Sequence, residues 1–395
     1  MRAPRPTPPL WATLLVAVAA RTVINTARRL PYPFAPDLAR HLGVSLAGVT
    51  ALIAASQLVS LLGPLGAPLA DRRGPRALLL AGAGLTALGM AGAALVGGYA
   101  AVAAGVILAS FGKALFDPAI QAHVGNRVAL AYRGRAVGFV ETAWAGATLV
   151  GIPAVGWVAA GAGWPWAFGA LAALAAAGAA GLAWAFPDPG PSAGRPVGRA
   201  WAEVIRNRQA RGMLAFGFLL SLANDNLFVV YGAMLEERFR LGLAALGAST
   251  VAVGLAELAG EGLTAALSDR IGLTRALGGG TVLATAAYGL LPLSMGSVGL
   301  ALGAVFGLFL CFEFTVVTSF SVCTEIAPRS RATLLSAYFA VLGLGRMTGA
   351  LLGAPVWAWG GEAATAGLSA LATALAGAAL WGTRVRVPAQ RHGVV

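Results

Sequence analysis

Eleven charged side chains lie inside segments otherwise apolar enough to cross a membrane: Arg21, Arg28, Arg29, Lys113, Asp117, Glu141, Asp225, Glu257, Glu261, Glu313 and Arg346. An ionised group at mid-bilayer costs about 2.5–3.5 kcal/mol on insertion scales, so such residues belong where protein or water, not lipid, surrounds them. The chemistry open to them is narrow. Carboxylates can take up and release protons, and cations can hold carboxylates or an anionic ligand. Lys113 and Asp117 stand four apart, share one helix face and can pair. Glu257 and Glu261 have the same spacing with like charge, and two adjacent carboxylates in a poorly solvated place resist joint ionisation. At 1.5 Å per residue, Arg21, Lys113, Asp225, Glu257 and Arg346 fall near the midplane, with Glu313 somewhat nearer the side that carries the termini. Glu257 is therefore the leading candidate proton carrier, with Asp225 and Glu313 as rivals. Arg21, Lys113 and Arg346 serve either as counter-ions or as an anion-binding cluster. Glu141 and Glu261 lie toward the cytoplasmic end, where pairing with Arg133, Arg270 or Arg331 suits a gate. Aromatic residues near these charges (Trp144, Phe111, Phe116, Phe228, Tyr231, Phe312, Phe314 and Tyr338) would give a cavity both apolar and polar walls.

Other chemistries lack their residues. His41, His123 and His392 are scattered outside the mid-span regions, and Cys311 and Cys323 form no CxxC pair. The GxxxxGK[ST] phosphate loop of nucleotide-driven pumps is missing. With no nucleophile–histidine arrangement and no metal-ligand cluster, neither an enzyme nor a metal or organic cofactor is expected; the energy source expected is a proton gradient.

The elements that position these charges follow from composition. Of 395 residues, 58% are hydrophobic and 11% charged, against about 25% charged in soluble domains. Twelve apolar segments are predicted near 11–33, 47–69, 77–96, 100–124, 137–160, 164–186, 212–231, 244–267, 276–293, 297–322, 333–357 and 363–382. Their length and continuous apolarity predict helices and not alternating barrel strands. The first segment could pass for a cleavable signal, but its apolar character resumes after Arg21 and predicts a span. The polar stretch 187–211 divides a first six-helix unit, 1–186, from a second, 212–395. The net charge of +13 comes from 28 basic and 15 acidic residues, and 27 of the 28 are arginines. Twenty of them fall in loops on the side of both termini and three (Arg40, Arg238, Arg240) on the other. By the positive-inside rule both termini are expected in the cytoplasm, in a multi-pass inner-membrane protein. The surplus cations therefore mark a membrane side and do not indicate a nucleic-acid partner.

The halves repeat. Asp71-Arg72-Arg73-Gly74 follows the second segment and Asp269-Arg270-Ile271-Gly272 the eighth, 198 residues later. Arg133-Gly134-Arg135 and Arg329-Ser330-Arg331 precede the fifth and eleventh, and Gly151-Ile152-Pro153 and Gly353-Ala354-Pro355 lie inside them. On these motifs the chain resembles the major facilitator superfamily over essentially its full length. Gly146, Gly151, Pro153 and Gly156, followed by Gly163-Trp164-Pro165-Trp166, are similar to its drug/proton antiporter branch. The pattern departs at Ala67 and Ala265, which replace a glycine; at Pro75, which interrupts a basic pair; at Ile152 and Trp157; and at Lys113, where the branch has arginine.

The resemblance implies an all-α membrane protein of twelve transmembrane helices in two pseudo-symmetric six-helix bundles, in which every third helix faces lipid. The charge pattern fits independently, since the third, sixth, ninth and twelfth segments carry none of the eleven charges. It further implies alternating access, with Asp71, Arg72, Asp269 and Arg270 in the cytoplasmic gate. The expected function is proton-coupled export of a small organic or amphipathic compound. Rivals are proton-coupled uptake of a sugar, organic acid or metabolite, lipid or lysolipid flipping, and a non-transporting sensor. The expected partners are a small-molecule substrate and the lipid bilayer, with the chain acting as a monomer.

Overall fold

The computed structural model of the protein describes residues 8–62, 74–128, 130–186, 204, 206–326 and 331–385. The regular elements among them are helical: α1 (Leu10–Arg29), α2 (Pro31–Leu42), α3 (Leu46–Leu58), α4 (Pro75–Val96), α5 (Gly98–Arg127), α6 (Leu130–Gly146), α7 (Ile152–Ala162), α8 (Trp164–Ala185), α9 (Arg208–Phe228), α10 (Tyr231–Phe239), α11 (Leu243–Ile271), α12 (Leu273–Leu290), α13 (Val298–Ile326) and α14 (Arg331–Thr383). Among the described residues ten stretches are long and apolar enough to span a bilayer, and Leu46–Leu58 is a shorter apolar helix. The longest stretch contains two spans, because α14 leaves helical geometry at Gly360 and Gly361. The twelve predicted segments thus each have a helical counterpart.

Local sequence explains where helices begin and stop. Ser45 caps α3 by accepting from the Gly48 N–H at 3.2 Å. Asn207 caps α9, accepting from the N–H groups of Gln209 and Ala210, which satisfies donors that a helix start leaves over. Between α6 and α7 the chain widens into a π-turn, Ala147–Gly151, just before Pro153, whose ring and missing N–H disturb a regular helix.

The inferred duplication is visible in the backbone. Left-handed φ values recur at Gly43 and Arg240, Gly74 and Gly272, and Gly163 and Gly361, offsets of 197 or 198 residues like those of the sequence motifs. Gly361 (φ 55) makes the turn between the last two spans, a conformation that a Cβ disfavours.

The described residues group into two compact units. Unit 1 draws on Met1–Arg195 and Tyr231–Gly254, unit 2 on Pro196–Val230 and Leu255–Val395. In unit 1, Leu14, Ala17 and Ile24 of α1 pack with Leu78, Leu79, Phe116, Ile120 and Val140. In unit 2, Met213, Phe216 and Leu220 of α9 pack with Phe312, Val316, Leu334 and Tyr338. Large apolar side chains left outward suit a lipid environment. Trp166 and Trp184, at opposite ends of α8, are 70% and 64% exposed, and eighteen residues of helix separate them by roughly 27 Å, close to the thickness of a hydrocarbon core.

Helices α4 and α5 approach most closely through facing glycines. A Cβ at Gly112 would run into the Gly82 carbonyl, and one at Gly89 would stand 2.8 Å from the Gly105 carbonyl. Such small-residue seams let membrane helices gain close packing where lipid offers no hydrophobic drive. Gly112→Leu is expected to wedge the seam apart at about 1–3 kcal/mol. Gly84→Leu, where the added side chain enters open space, is expected to leave stability unchanged. Thermal unfolding of the two purified variants makes the comparison.

Candidate functional site: membrane-embedded charge clusters

In unit 1, α1, α5 and α6 bring opposite charges together. Arg21 is 4% exposed. Its Nε donates to Asp117 Oδ1 at 2.9 Å, and its Nη1 lies 2.9 Å from Glu141 Oε2 and donates to the Val140 carbonyl at 2.8 Å. The second oxygen of Asp117 meets Lys113 Nζ at 2.7 Å, the pair expected from the four-residue spacing. Gln121 donates to Glu141 at 3.1 Å. One arginine thus ties two carboxylates from two other helices, in the charge-assisted geometry that guanidinium groups favour.

The same helix presents Arg28 and Arg29. The Arg29 guanidinium lies 4.1 Å from the centre of the Trp144 ring and donates to Thr148 Oγ1 at 2.8 Å. Lys113 Nζ is 5.3 Å from that ring, so two cations share one aromatic side chain. Arg28 donates to Gln57 Oε1, and Gln57 in turn donates to the Tyr32 hydroxyl at 2.6 Å. Thr148 sits in the π-turn, and its carbonyl accepts from Thr250 at 2.9 Å. The membrane charges of unit 1 therefore comprise four cations (Arg21, Arg28, Arg29, Lys113) and two acids (Asp117, Glu141).

Unit 2 has the opposite balance: Asp225, Glu257, Glu261 and Glu313 against Arg346. Asp225 on α9 is 2% exposed; it accepts from Asn224 at 3.3 Å and faces Arg346 Nε at 3.9 Å. Glu257 is 2% exposed and Glu313 9%. Glu313 Cβ would lie 2.8 Å from a Cβ at Gly260, which seats it beside the residue that stands between Glu257 and Glu261 on α11. Asn226 donates to Thr365 O and Ser369 Oγ, both at 3.1 Å, tying α9 to the last span. Ser221 Oγ, Asn224 Oδ1, Asn226 Oδ1, Tyr288 OH and Thr318 Oγ1 are buried and hydrogen-bond no other described residue. Phe228, Phe309 and Phe312 meet edge to face at 5.2 and 6.4 Å.

The residues expected at a gate are placed unevenly. Asp71 and Arg72, like the side chain of Asp269, lie outside the described residues. Arg270 is exposed at the end of α11, and Glu261 is half-buried. Glu141 joins the Arg21 cluster.

A third polar group in unit 1, at the C-terminal end of α2, went unnoticed in the sequence. Arg40 pairs with Glu236 at 2.8 Å and with Asp37 at 3.1 Å, and Trp164 Nε1 donates to Asp37 at 2.8 Å. Trp164 stacks on Phe168 and meets Phe34 edge-on. Tyr231 donates to Ser249 at 2.8 Å. The clasp joins α2, α8 and α10. Counting acids in the loops as well as cations would have found it.

The family model described as Major Facilitator Superfamily matches residues 14–350. The uncharacterized MFS-type transporter YwfA of Bacillus subtilis (strain 168) is 24% identical over 358 residues, covering 87% of this chain and 85% of that protein. Among solved structures, a bacterial homolog of the human lysosomal transporter Spinster, inward-facing and occupied, superposes with a TM-score of 0.75 at 15% identity, over 94% of this chain and 96% of that one. A POT family transporter in complex with a thioalcohol-conjugated peptide gives 0.78 at 16% identity, over 95% and 96%.

Removing Arg21 strands two carboxylates. Arg21→Met is expected to lower stability by about 3 kcal/mol, the lower end for breaking a buried pair, because Asp117 and Glu141 side chains are 30% and 38% exposed. Adding Asp117→Asn to that variant should recover part of the loss, since it removes a carboxylate left without its partner. Thermal melts of the single and double variants read both effects.

Proposed function

The chain belongs to the Major Facilitator Superfamily and is a secondary transporter, not an enzyme, and on that premise we propose that it exports a small cationic or amphipathic organic compound in exchange for protons, by alternating access. One observation carries this reading: the unequal balance of acids and cations in the membrane segments of the two units. Asp117 and Glu141 are both held by Arg21, with Lys113 as a further partner of Asp117. In unit 2, Asp225, Glu257 and Glu313 are all buried, and the unit's membrane segments supply one cation, Arg346, at 3.9 Å from Asp225.

A set of ionised groups in a poorly solvated place is costlier the further its net charge lies from zero. A proton arriving in the unit 2 set brings it toward neutrality, and an organic cation does the same. The two therefore compete, and competition for one set of carboxylates is what exchange requires. The buried oxygens of Ser221, Asn224, Asn226 and Tyr288, which hydrogen-bond no other described residue, supply hydrogen-bond capacity for a polar part of the substrate or for water, and the Phe228–Phe309–Phe312 edge supplies an apolar wall. The 20-to-3 partition of basic residues supports cytoplasmic termini and an inner-membrane location.

A second reading, proton-coupled uptake of an anionic metabolite, draws on unit 1, where four membrane cations accompany two acids. The POT family neighbour was solved with a peptide conjugate, a ligand class compatible with that reading. The Spinster neighbour is kin to a lysosomal transporter.

Reconstituted vesicles under an imposed proton gradient separate the two. Protons moving against a fluorescent organic cation support export, and protons moving with an organic anion support uptake. At least one of Asp225→Asn, Glu257→Gln and Glu313→Gln is expected to cut gradient-driven flux about tenfold or more, while exchange without a gradient persists. Unaltered gradient-driven flux in all three variants would sink the assignment of coupling to unit 2.

A further inference from the structure

A groove of about 300 Å³ lies in unit 2, lined by residues other than the acids of its charged cluster. Its walls are Leu263, Leu267 and Ile271 of α11, Leu283 of α12, and Leu310 and Phe314 of α13. The three α11 residues are spaced by four and share one face, as are Arg275, Gly279 and Leu283 on α12. Each row is roughly 12 Å long at 1.5 Å per residue. The chain turns back at Gly272, so Ile271 and Arg275 lie at one end of the groove and Leu263 and Leu283 at the other. Gly279 and Gly280 also line it. Gly280 is packed against Phe314 and Thr315, whereas a Cβ on Gly279 would meet nothing within 4 Å.

Arg275 is the charged residue in this lining, and it is exposed. It sits in the first turn of α12, at the level where the spans end, and Arg270, also exposed, lies at the same end. An apolar channel that is open along its side and carries a cation at its interfacial end matches one kind of ligand. A flexible acyl chain fills the channel, and a phosphate on the head group reaches the guanidinium, whose planar donors suit phosphate oxygens. We propose that this groove is a binding site for an anionic phospholipid, with one acyl chain between α11, α12 and α13 and the head-group phosphate at Arg275. The charge at the mouth selects the head group, and the bare Gly279 keeps the channel open to the chain. A protein face would need no such narrow furrow, and a free anion would gain nothing from its leucine walls.

Native mass spectrometry of the full-length, delipidated protein tests this with phosphatidylglycerol and phosphatidylcholine of identical chains. The wild type is expected to retain one phosphatidylglycerol in preference to phosphatidylcholine by about fivefold, the size expected for one arginine at an anionic surface. Arg275→Gln should bring that preference close to one while lipid is still retained. Gly279→Leu should lose the bound lipid altogether, and Gly278→Leu, whose side chain also enters open space but lies outside the groove lining, should match the wild type. Thermal melts confirm that the variants are folded. Equal lipid retention in Gly279→Leu and Gly278→Leu would overturn the proposal, as would an undiminished head-group preference in Arg275→Gln. Displacement of the lipid by millimolar inorganic phosphate would identify a free-anion site instead. A wild-type dimer that Gly279→Leu turns into a monomer would assign the groove to a second copy.

Discussion

Arg21, itself buried, binds two carboxylates from two other helices. A membrane span tolerates an ion only when an opposite charge and hydrogen bonds replace the water it has lost. Asp117 and Glu141 meet that requirement through one guanidinium fixed on α1 and, for Asp117, through Lys113 as well. The arrangement of unit 1 follows from this. α5 and α6 must each present an acid at the depth of Arg21, Trp144 falls one helical turn beyond Glu141 where it meets Arg29 and Lys113, and the π-turn sets Thr148 within reach of Arg29. Removing the cation would disturb three helices together.

The two units resolve the same electrostatic difficulty differently. In unit 1 short ion pairs and a shared aromatic ring fix the positions of the charges, which suits a wall that orients ligands and holds its shape. In unit 2 the four acids of the membrane segments outnumber their one cation, Arg346, whose Nε stands 3.9 Å from Asp225. The membrane segments of the two units thus differ in electrical character.

Much of this was legible in the sequence. The number and order of the spans followed from the length of the apolar runs, the Lys113–Asp117 pair from its spacing, and the duplication from motifs that the left-handed residues Gly74 and Gly272 repeat in the backbone. Contacts between residues distant in the chain were not legible. Nothing local to Arg21 selects Asp117 and Glu141, 96 and 120 residues away, over the other acids, and Glu141 looked like a gate residue because depth along a helix says nothing about which neighbour it meets. The clasp of Asp37, Arg40 and Glu236 was hidden by counting cations alone. With 54 glycines, sequence could not single out the four that let α4 and α5 touch, because close approach depends on what lies opposite.

The widened turn at Ala147–Gly151 carries a further consequence for the fifth span. A π-turn holds one more residue than a regular turn, so everything beyond it is rotated by about 100° relative to an uninterrupted helix. Before the turn, Glu141 and Trp144 point at the charges of α1 and α5; after it, Gly156 lies against Phe34 and Gly247. The span therefore has two interior faces, set out of phase by a single residue. An insertion or deletion inside these five positions would leave the hydrophobicity of the span intact and yet turn one of its ends away from its neighbours, so this stretch is constrained in length more strictly than in composition.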